Sequence, residues 1–411
     1  MKRFLKLAWR NVGRNRRRSL ITMCAVVFTV IIIALSNSIQ YGTYDLMEGQ
    51  AVRMFTGEVQ IQRAGYQDEK TLAYSMEDNE ADWDSLFGRQ DWIEARSRRL
   101  TGFGLISSDS SSVGAAIIGI EPSTEAELAN FSQRVVAGDL LGAGDTGEIL
   151  VGRTLAENLH VGIGDTIVVL TQGYRNEMGA DVYRIKGLML TGTPDVDRAM
   201  VVMTIQDAQM LFWMDGRFTE WVVRSDNFRD ANQHARALRE ATADLDVDVF
   251  TWEELMPELQ QARALDDAGN NIFFIFLILL VGFEIFNTAT MTVLERVREF
   301  GVLQAIGLRP NQVGILVFIE LAMKILIGIA VGMIILVAMA LAFPDLTIPL
   351  TEELKEMYAS FGFGVEGIRF STRAVVFVQP LVSVFAISLL AIIYPVWKVQ
   401  RYSPVEAMRH A

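Results

Sequence analysis

Apolar residues in this chain are gathered into a few long runs, and polar residues fill the stretches between them. Four runs reach the roughly 20 mostly apolar residues that a helix needs to cross a bilayer. They are Leu20 to Ile39 (LITMCAVVFTVIIIALSNSI), Ile272 to Val293 (IFFIFLILLVGFEIFNTATMTV), Val313 to Phe343 and Ala374 to Val396. Residues 41–270, between the first two runs, are polar and numerous enough to fold around a core of their own. The period of the pattern changes there. Gly57 to Tyr66 alternates apolar and polar residues as a half-buried strand does. Asp84 to Leu100 reads as a helix, and Gly114 to Pro122 as a short strand closed by a turn. Gly147 to Gln172 reads strand, short helix, glycine turn, strand, and Trp221 to Trp252 reads strand, helix, strand. The expected fold is therefore a membrane α-helical protein with four transmembrane helices and a large α+β extracytoplasmic domain. Residues of about 123–200 are expected to form an inserted subdomain between two βαβ-like flanks. The expected layout is an amphipathic helix at 1–19, a first span at 20–40, the domain at 41–270 and a second span at 271–293. A connector at 294–312, a third span at 313–343, a short loop at 344–373, a fourth span at 374–396 and a tail at 397–411 follow.

Charge orients these segments. The chain has 411 residues, 51% of them hydrophobic and 21% charged, with mean hydropathy +0.27. Residues 1–19 carry eight Lys or Arg (Lys2, Arg3, Lys6, Arg10, Arg14, Arg16, Arg17, Arg18) and no acid. Lys and Arg near span ends stay on the cytoplasmic side, so the N-terminus is expected inside. Four spans return the C-terminus inside, where Lys398, Arg401 and Arg409 agree. Residues 41–270 hold 39 acids against 19 Lys or Arg, a formal −20, and are expected outside. The basic cluster is explained by topology, which argues against a nucleic-acid partner. The apolar run is long and ALSNSIQ lacks a convincing small-x-small cleavage site, so the first run reads as a signal anchor. The one cysteine, Cys24, allows neither a disulfide framework nor a thiol metal site.

Catalytic patterns are missing. GAGDTGE (Gly142 to Glu148) has the glycines of a phosphate loop but lacks its lysine. There is no HExxH or GxSxG, and His160, His234 and His410 are scattered. Adjacent carboxylates such as Glu253 and Glu254 point apart on a helix. The sequence thus offers no catalytic residue and no metal site.

The densest segment is ERVREFGVLQAIGLRPNQVG, Glu295 to Gly314, between the second and third runs. On a helix, Val293, Val297, Phe300 and Gln304 share a face flanked by Leu303, and Arg296 and Glu299 are i, i+3 neighbours. Gly301 is costly in a helix interior and points to close backbone approach. Gly307 is placed to end the helix, and Pro310 prevents it resuming unbent. A connector between spans needs only polarity, whereas an apolar stripe suits docking into a groove; composition leaves both readings open.

RVREFGVLQAIGLRPNQV resembles the cytoplasmic helix after the second span in the FtsX/MacB/LolC–LolE superfamily of ABC-transporter permeases. Its pattern is R-x-x-E-[FI]-G-[IV]-L-[RQ]-A-[IL]-G, matched by Arg296, Glu299, Phe300, Gly301, Leu303, Ala305 and Gly307. AWRNVGRNRRRSLIT resembles the family's N-terminal helix. GEILVGRTLAENLHVGIGDTIVVL and GLMLTGTPDVDRAMVVM resemble its periplasmic core domain, of the MacB type, and KVQRYSPVEAMRHA resembles its C-terminal tail. The resemblance implies a bacterial inner-membrane permease working by mechanotransmission. It implies that the seven matched residues couple to a separate cytoplasmic ABC ATPase dimer, which would carry ATP and Mg, leaving no cofactor on this chain. The implied partners are a second permease copy or sister subunit, a lipoprotein or other amphiphilic substrate, and a periplasmic chaperone or adaptor. The alternatives are a transmembrane signalling subunit controlling an external cell-wall hydrolase, and an adaptor-dependent drug or peptide exporter.

Polar residues inside the spans carry further expectations. Glu284, in LLVGFEIFN, lies at a depth similar to Lys324, which suggests a buried pair shared with Glu320 one turn from Lys324. The alternative is a protonated Glu284 bonded to Asn287 or Thr288, with Lys324 snorkelling. Candidates for cargo contact are Val30, Ile33, Phe273, Phe274 and Phe276 in the outer halves of spans one and two; lipid contact or dimer packing is the competing reading. Ser403-Pro404-Val405-Glu406 fits a capping box that starts a tail helix.

Overall fold

The structure is a computed structural model describing residues 2–14, 16–78, 81–129, 134–191, 193–225, 227–342, 347–360 and 367–401. The expected tail helix at Ser403–Glu406 lies outside these residues. The chain divides into two compact units, one of residues 1–44, 262–348 and 368–411, the other of 45–261 and 349–367. In chain order, α1 (Lys2–Arg14) and α2 (Arg16–Ala51) come first. Next are α3 (Trp83–Phe87), α4 (Pro122–Leu128), α5 (Ile205–Leu211) and α6 (Ala231–Ala241). Last come α7 (Pro257–Glu295), α8 (Val297–Ala305), α9 (Pro310–Ala342) and α10 (Ala374–Gln400).

Four of these helices are long and apolar enough to cross a membrane: Ser19–Ala51 within α2, and α7, α9 and α10. Between helices in lipid, close packing replaces the hydrophobic effect as the main attraction, and small residues permit it. Gly328 and Gly332 of α9 provide such a surface. A methyl on Gly328 would come within 2.9 Å of Val26 Cβ on α2, and one on Gly332 within 3.2 Å of Val30 Cβ. Val26, Val30, Ile33, Ile285, Phe300, Val317 and Ile392 belong to one buried apolar cluster. Within α10, Pro380 removes a backbone donor, and Ser383 Oγ donates to the Gln379 carbonyl at 2.8 Å in the same turn.

The second unit is built on a ten-stranded sheet. Its strands are β1 (Val59–Arg63), β2 (Ile93–Ser107), β3 (Ser112–Ile120), β4 (Val135–Gly138) and β5 (Glu148–Gly152). The others are β6 (Thr166–Gln172), β7 (Met178–Met189), β8 (Met200–Thr204), β9 (Glu220–Ser225) and β10 (Val247–Thr251). Along one edge, β2 pairs β9 through Ile93–Arg99 and then β6 through Gly104–Ser107; its other edge pairs β3. Because β6 also pairs β7, the order β2-β3-β8-β5-β7-β6 returns to β2 and closes a six-stranded ring. β9, β1 and β10 extend from it as an open sheet.

Two expectations are corrected here. Residues 123–200 form no separate subdomain, because β5, β6 and β7 hydrogen-bond into the same sheet as the flanks. The sheet itself is mixed, since β3 pairs β8 and β5 pairs β7 in parallel. Within Asp84–Leu100 the helix stops at Phe87, and Ile93–Leu100 is strand. From Ala95 the burial alternates, with Ala95, Ser97 and Arg99 inside, and period two decides against a helix.

One buried carboxyl gives the second unit a pH dependence. Glu58 precedes β1, is buried, and accepts from Ser225 N–H at 3.1 Å. Burial pushes it from the ordinary glutamate value of 4.5 up to about 7, although Ser225 pulls the other way. The folded state therefore keeps a proton between pH 4.5 and 7 that the unfolded state has released. Stability is fully present below the lower value and falls as pH rises through this window, by about 3 kcal/mol. Glu58→Gln is expected to remove that slope and raise the unfolding midpoint at pH 8. A slope unchanged in Glu58→Gln would assign the pH dependence to other groups.

Candidate functional site

The junction of α7, α8 and α9 brings Arg296 and Lys324 together on one carboxylate. Glu320 on α9 is 3% exposed. Its two oxygens accept from Arg296 Nη1 at 2.9 and 2.8 Å, from Lys324 Nζ at 3.1 Å and from Asn11 Nδ2 on α1 at 3.1 Å. Arg296 Nε donates separately to Glu299 at 2.9 Å, and its guanidinium lies 5.3 Å from the centre of the Phe300 ring. Two cations thus meet two carboxylates. A buried cluster of this kind is tolerable because each charge is both paired and hydrogen-bonded. Burial opposes the charge on Arg296, but the Glu320 and Glu299 carboxylates outweigh it and raise the guanidinium above its ordinary value.

Local sequence fixes this geometry. Arg296 sits in the one-residue break between α7 and α8, so its side chain turns inward towards α9. The end of α8 is a Schellman turn. Gly307 N–H donates to the Gln304 carbonyl at 3.0 Å and Leu308 N–H to the Leu303 carbonyl at 3.1 Å. Gly307 adopts φ +108°, which a side chain would disfavour. Pro310 opens α9 as its first residue, and Arg309 N–H is capped by the Gln312 side chain at 2.9 Å.

The apolar stripe expected on this segment exists, but it faces inward. Val293, Val297 and Phe300 are buried, Phe300 to 2% exposure, and Leu303 is half-buried against the same cluster. Gly301 is buried as well. The face left open is the opposite one, with Arg298, Val302 (48% exposed), Ala305 and Ile306 (70% exposed). The stripe was visible in the sequence, but its partner is the chain's own membrane unit. Asn11 was not singled out by sequence reasoning, although it stands inside the N-terminal segment that carries the resemblance.

The expected pair of Glu284 and Lys324 is not formed. Glu284 Oε1 accepts from Thr288 Oγ1 at 3.5 Å, its Oε2 is buried without a partner among the described residues, and Lys324 is bound to Glu320. The cause is local: Glu320 lies one turn from Lys324 on the same helix and is already fixed by Arg296. Thr288 stands in the same relation to Glu284. Of the five cargo-contact candidates, Val30, Ile33 and Phe274 are buried in the helix cluster. Phe273 and Phe276 lie on the open face of α7.

These features define a membrane permease. The family of MacB-like periplasmic core domains matches residues 19–241, and that of FtsX-like permease C-terminal regions matches residues 271–404. The chain belongs to this family of ABC-type permeases. It is similar to the lipoprotein-releasing system transmembrane protein LolC of Xylella fastidiosa strain Temecula1, at 24% identity over 71% of this chain and 72% of that one. It is similar also to LolC of Neisseria meningitidis serogroup B, at 24% over 78% and 77%. Among solved structures it is similar to the periplasmic region of MacB from Actinobacillus actinomycetemcomitans. That likeness has 13% identity and a TM-score of 0.35, over 51% of this chain and 94% of that one.

Proposed function

We propose that this permease transmits the movement of a separate cytoplasmic ABC ATPase dimer through α8 to α9 and α1, and so drives extraction of lipoproteins or a similar amphiphile from the inner membrane. Both termini are then cytoplasmic, ATP and Mg belong to the ATPase, and the second unit acts outside the membrane. A second permease copy or sister subunit completes the complex, with a periplasmic chaperone or adaptor receiving the cargo. The observation that carries this reading is the Glu320 carboxylate, which holds side chains from α1 and from the α7–α8 break at one point of α9. A push on the short helix is thereby delivered to a span and to the N-terminal helix together. Support for the cargo class comes from the LolC relatives, which are transmembrane proteins of lipoprotein-releasing systems.

The test is reconstitution of the full chain with a candidate ATPase in proteoliposomes carrying a triacylated lipoprotein. Release that requires ATP hydrolysis is expected. ATP-dependent activation of a cell-wall hydrolase without movement of cargo would replace this reading with the signalling one.

A further inference from the structure

The open face of α7 carries one polar residue in an otherwise apolar band. Phe276, Leu280, Phe283, Met291 and Leu294 are 43 to 73% exposed. At about 100° per residue, all five lie within about 40° of Asn287 around the helix axis. Asn287 is itself exposed, and its carboxamide has no hydrogen-bond partner among the described residues. It stands seven positions before Leu294, about 10 Å along the axis, in a helix long and apolar enough to cross a membrane. Asn37 on α2 is placed differently: it is 1% exposed and donates to the Gln379 side chain on α10 at 3.3 Å.

A carboxamide among lipid chains leaves its donors and its acceptor unmet. Lipid, or the acyl chain of a cargo, would cover the apolar part of the band and leave Asn287 unsatisfied. A second copy of the chain covers both parts. Two copies inserted in the same direction are related by a two-fold axis along the membrane normal, which sets residues of a central helix opposite themselves. Asparagine both donates and accepts, so it is complementary to itself. One such residue in an apolar seam fixes the register and the number of helices that pack there.

We propose that α7 packs along this band against α7 of a second copy of the chain, the Asn287 Nδ2 of each copy donating to the Asn287 Oδ1 of the other. Phe276 is then a packing residue rather than a cargo contact. The inference rests on the reading above for the presence of two permeases and adds the surface that joins them. Its test uses neither ATP nor cargo, so failure of the seam and failure of extraction are read separately.

Cys24, the only cysteine, is replaced by serine, and single cysteines are placed in the full chain. Leu280→Cys and Asn287→Cys lie on the band. Ile275→Cys on α7 and Leu326→Cys on α9 replace residues that are 56% and 50% exposed but lie off it. Oxidation in isolated membranes is expected to give about fivefold or more covalent dimer at the band positions than at the other two. Sedimentation equilibrium in detergent supplies a second measurement without cysteines. Asn287→Val is expected to weaken self-association about fivefold or more, and Asn287→Gln to keep it within about twofold of the parent. Equal dimer yields on and off the band would overturn the proposal, as would Asn287→Val associating as tightly as the parent. Crosslinks from Asn287→Cys to a different polypeptide alone would give the face to a sister subunit instead. Labelling of Asn287→Cys by a membrane-impermeant maleimide, with no covalent dimer, would give it to a water-filled path.

Discussion

Replacing Glu320 by glutamine is expected to abolish ATP-driven function and to lower the stability of the membrane unit. The change would leave Lys324, 3% exposed, with no carboxylate partner among the described residues. It would also leave Arg296 with Glu299 alone. Breaking one side of a buried ion cluster costs roughly 3 to 5 kcal/mol, because the remaining charge stays desolvated. The double change Glu320→Gln/Lys324→Met removes that charge, so its unfolding midpoint is expected to recover more than half of the loss. Coupling should stay broken in the double variant, because Arg296 and Asn11 then share one neutral amide oxygen in place of two carboxylate oxygens. Arg296→Lys is a sharper probe. Arg296 uses Nε for Glu299 and Nη1 for Glu320, and an ammonium cannot reproduce that fork. The readouts are thermal unfolding in detergent and the ratio of cargo moved to ATP hydrolysed. Full coupling in Glu320→Gln would sink the role given to this cluster.

The second large effect separates holding α8 from docking it. Phe300→Ala is expected to destabilise the membrane unit by about 3 to 5 kcal/mol, the usual consequence of emptying a buried aromatic site. Val302→Ser and Ile306→Ser, on the open face, are expected to leave the unfolding midpoint within about 0.5 kcal/mol of the parent. They should nevertheless weaken capture of the ATPase about tenfold, equivalent to about 1.4 kcal/mol. The reverse pattern, with a tolerant Phe300 and destabilising surface changes, would mean that α8 docks through its other face.

The contrast between Phe300 and Ile306 also shows what the sequence made legible. The period of the apolar residues revealed a helix with an apolar side, and the R-x-x-E-F-G pattern revealed its family. Neither states which body covers that side, because core packing and partner docking select the same residue types. The spans were legible because a bilayer demands length and hydrophobicity, both local properties. Glu284 and Lys324 were matched by depth alone, but depth leaves the rotation of each helix free, and a partner one turn away needs no rotation. Asn11 lies more than 300 positions from Glu320 in the chain, and a lone asparagine in a basic helix gives no signal of its distant acceptor. Arg99 hid a strand inside an apparent helix: it is buried against Glu125 on α4, whereas a sequence pattern counts an arginine as surface.

The strand that opens the sheet has consequences for biogenesis. β1 pairs only with β9 and β10, its register running from Val59 against Val223 on one side and Thr251 on the other. Ring closure likewise waits for β8, the last of its six strands to be synthesised, whose Met200 opposes Ala116 of β3. During synthesis the first strand therefore emerges with both hydrogen-bonding edges bare, and stays so until more than 160 further residues have followed it. Long-range pairings of this kind form slowly, since a large loop must close before any contact rewards it. Until then Val59 and Ile61 form an apolar strand open to misassociation. The first helix, by contrast, needs no later residue to satisfy its backbone. Insertion of the anchor and completion of the domain are thus separated in time, and the interval between them is where a holdase or a low temperature would most improve the yield of folded protein.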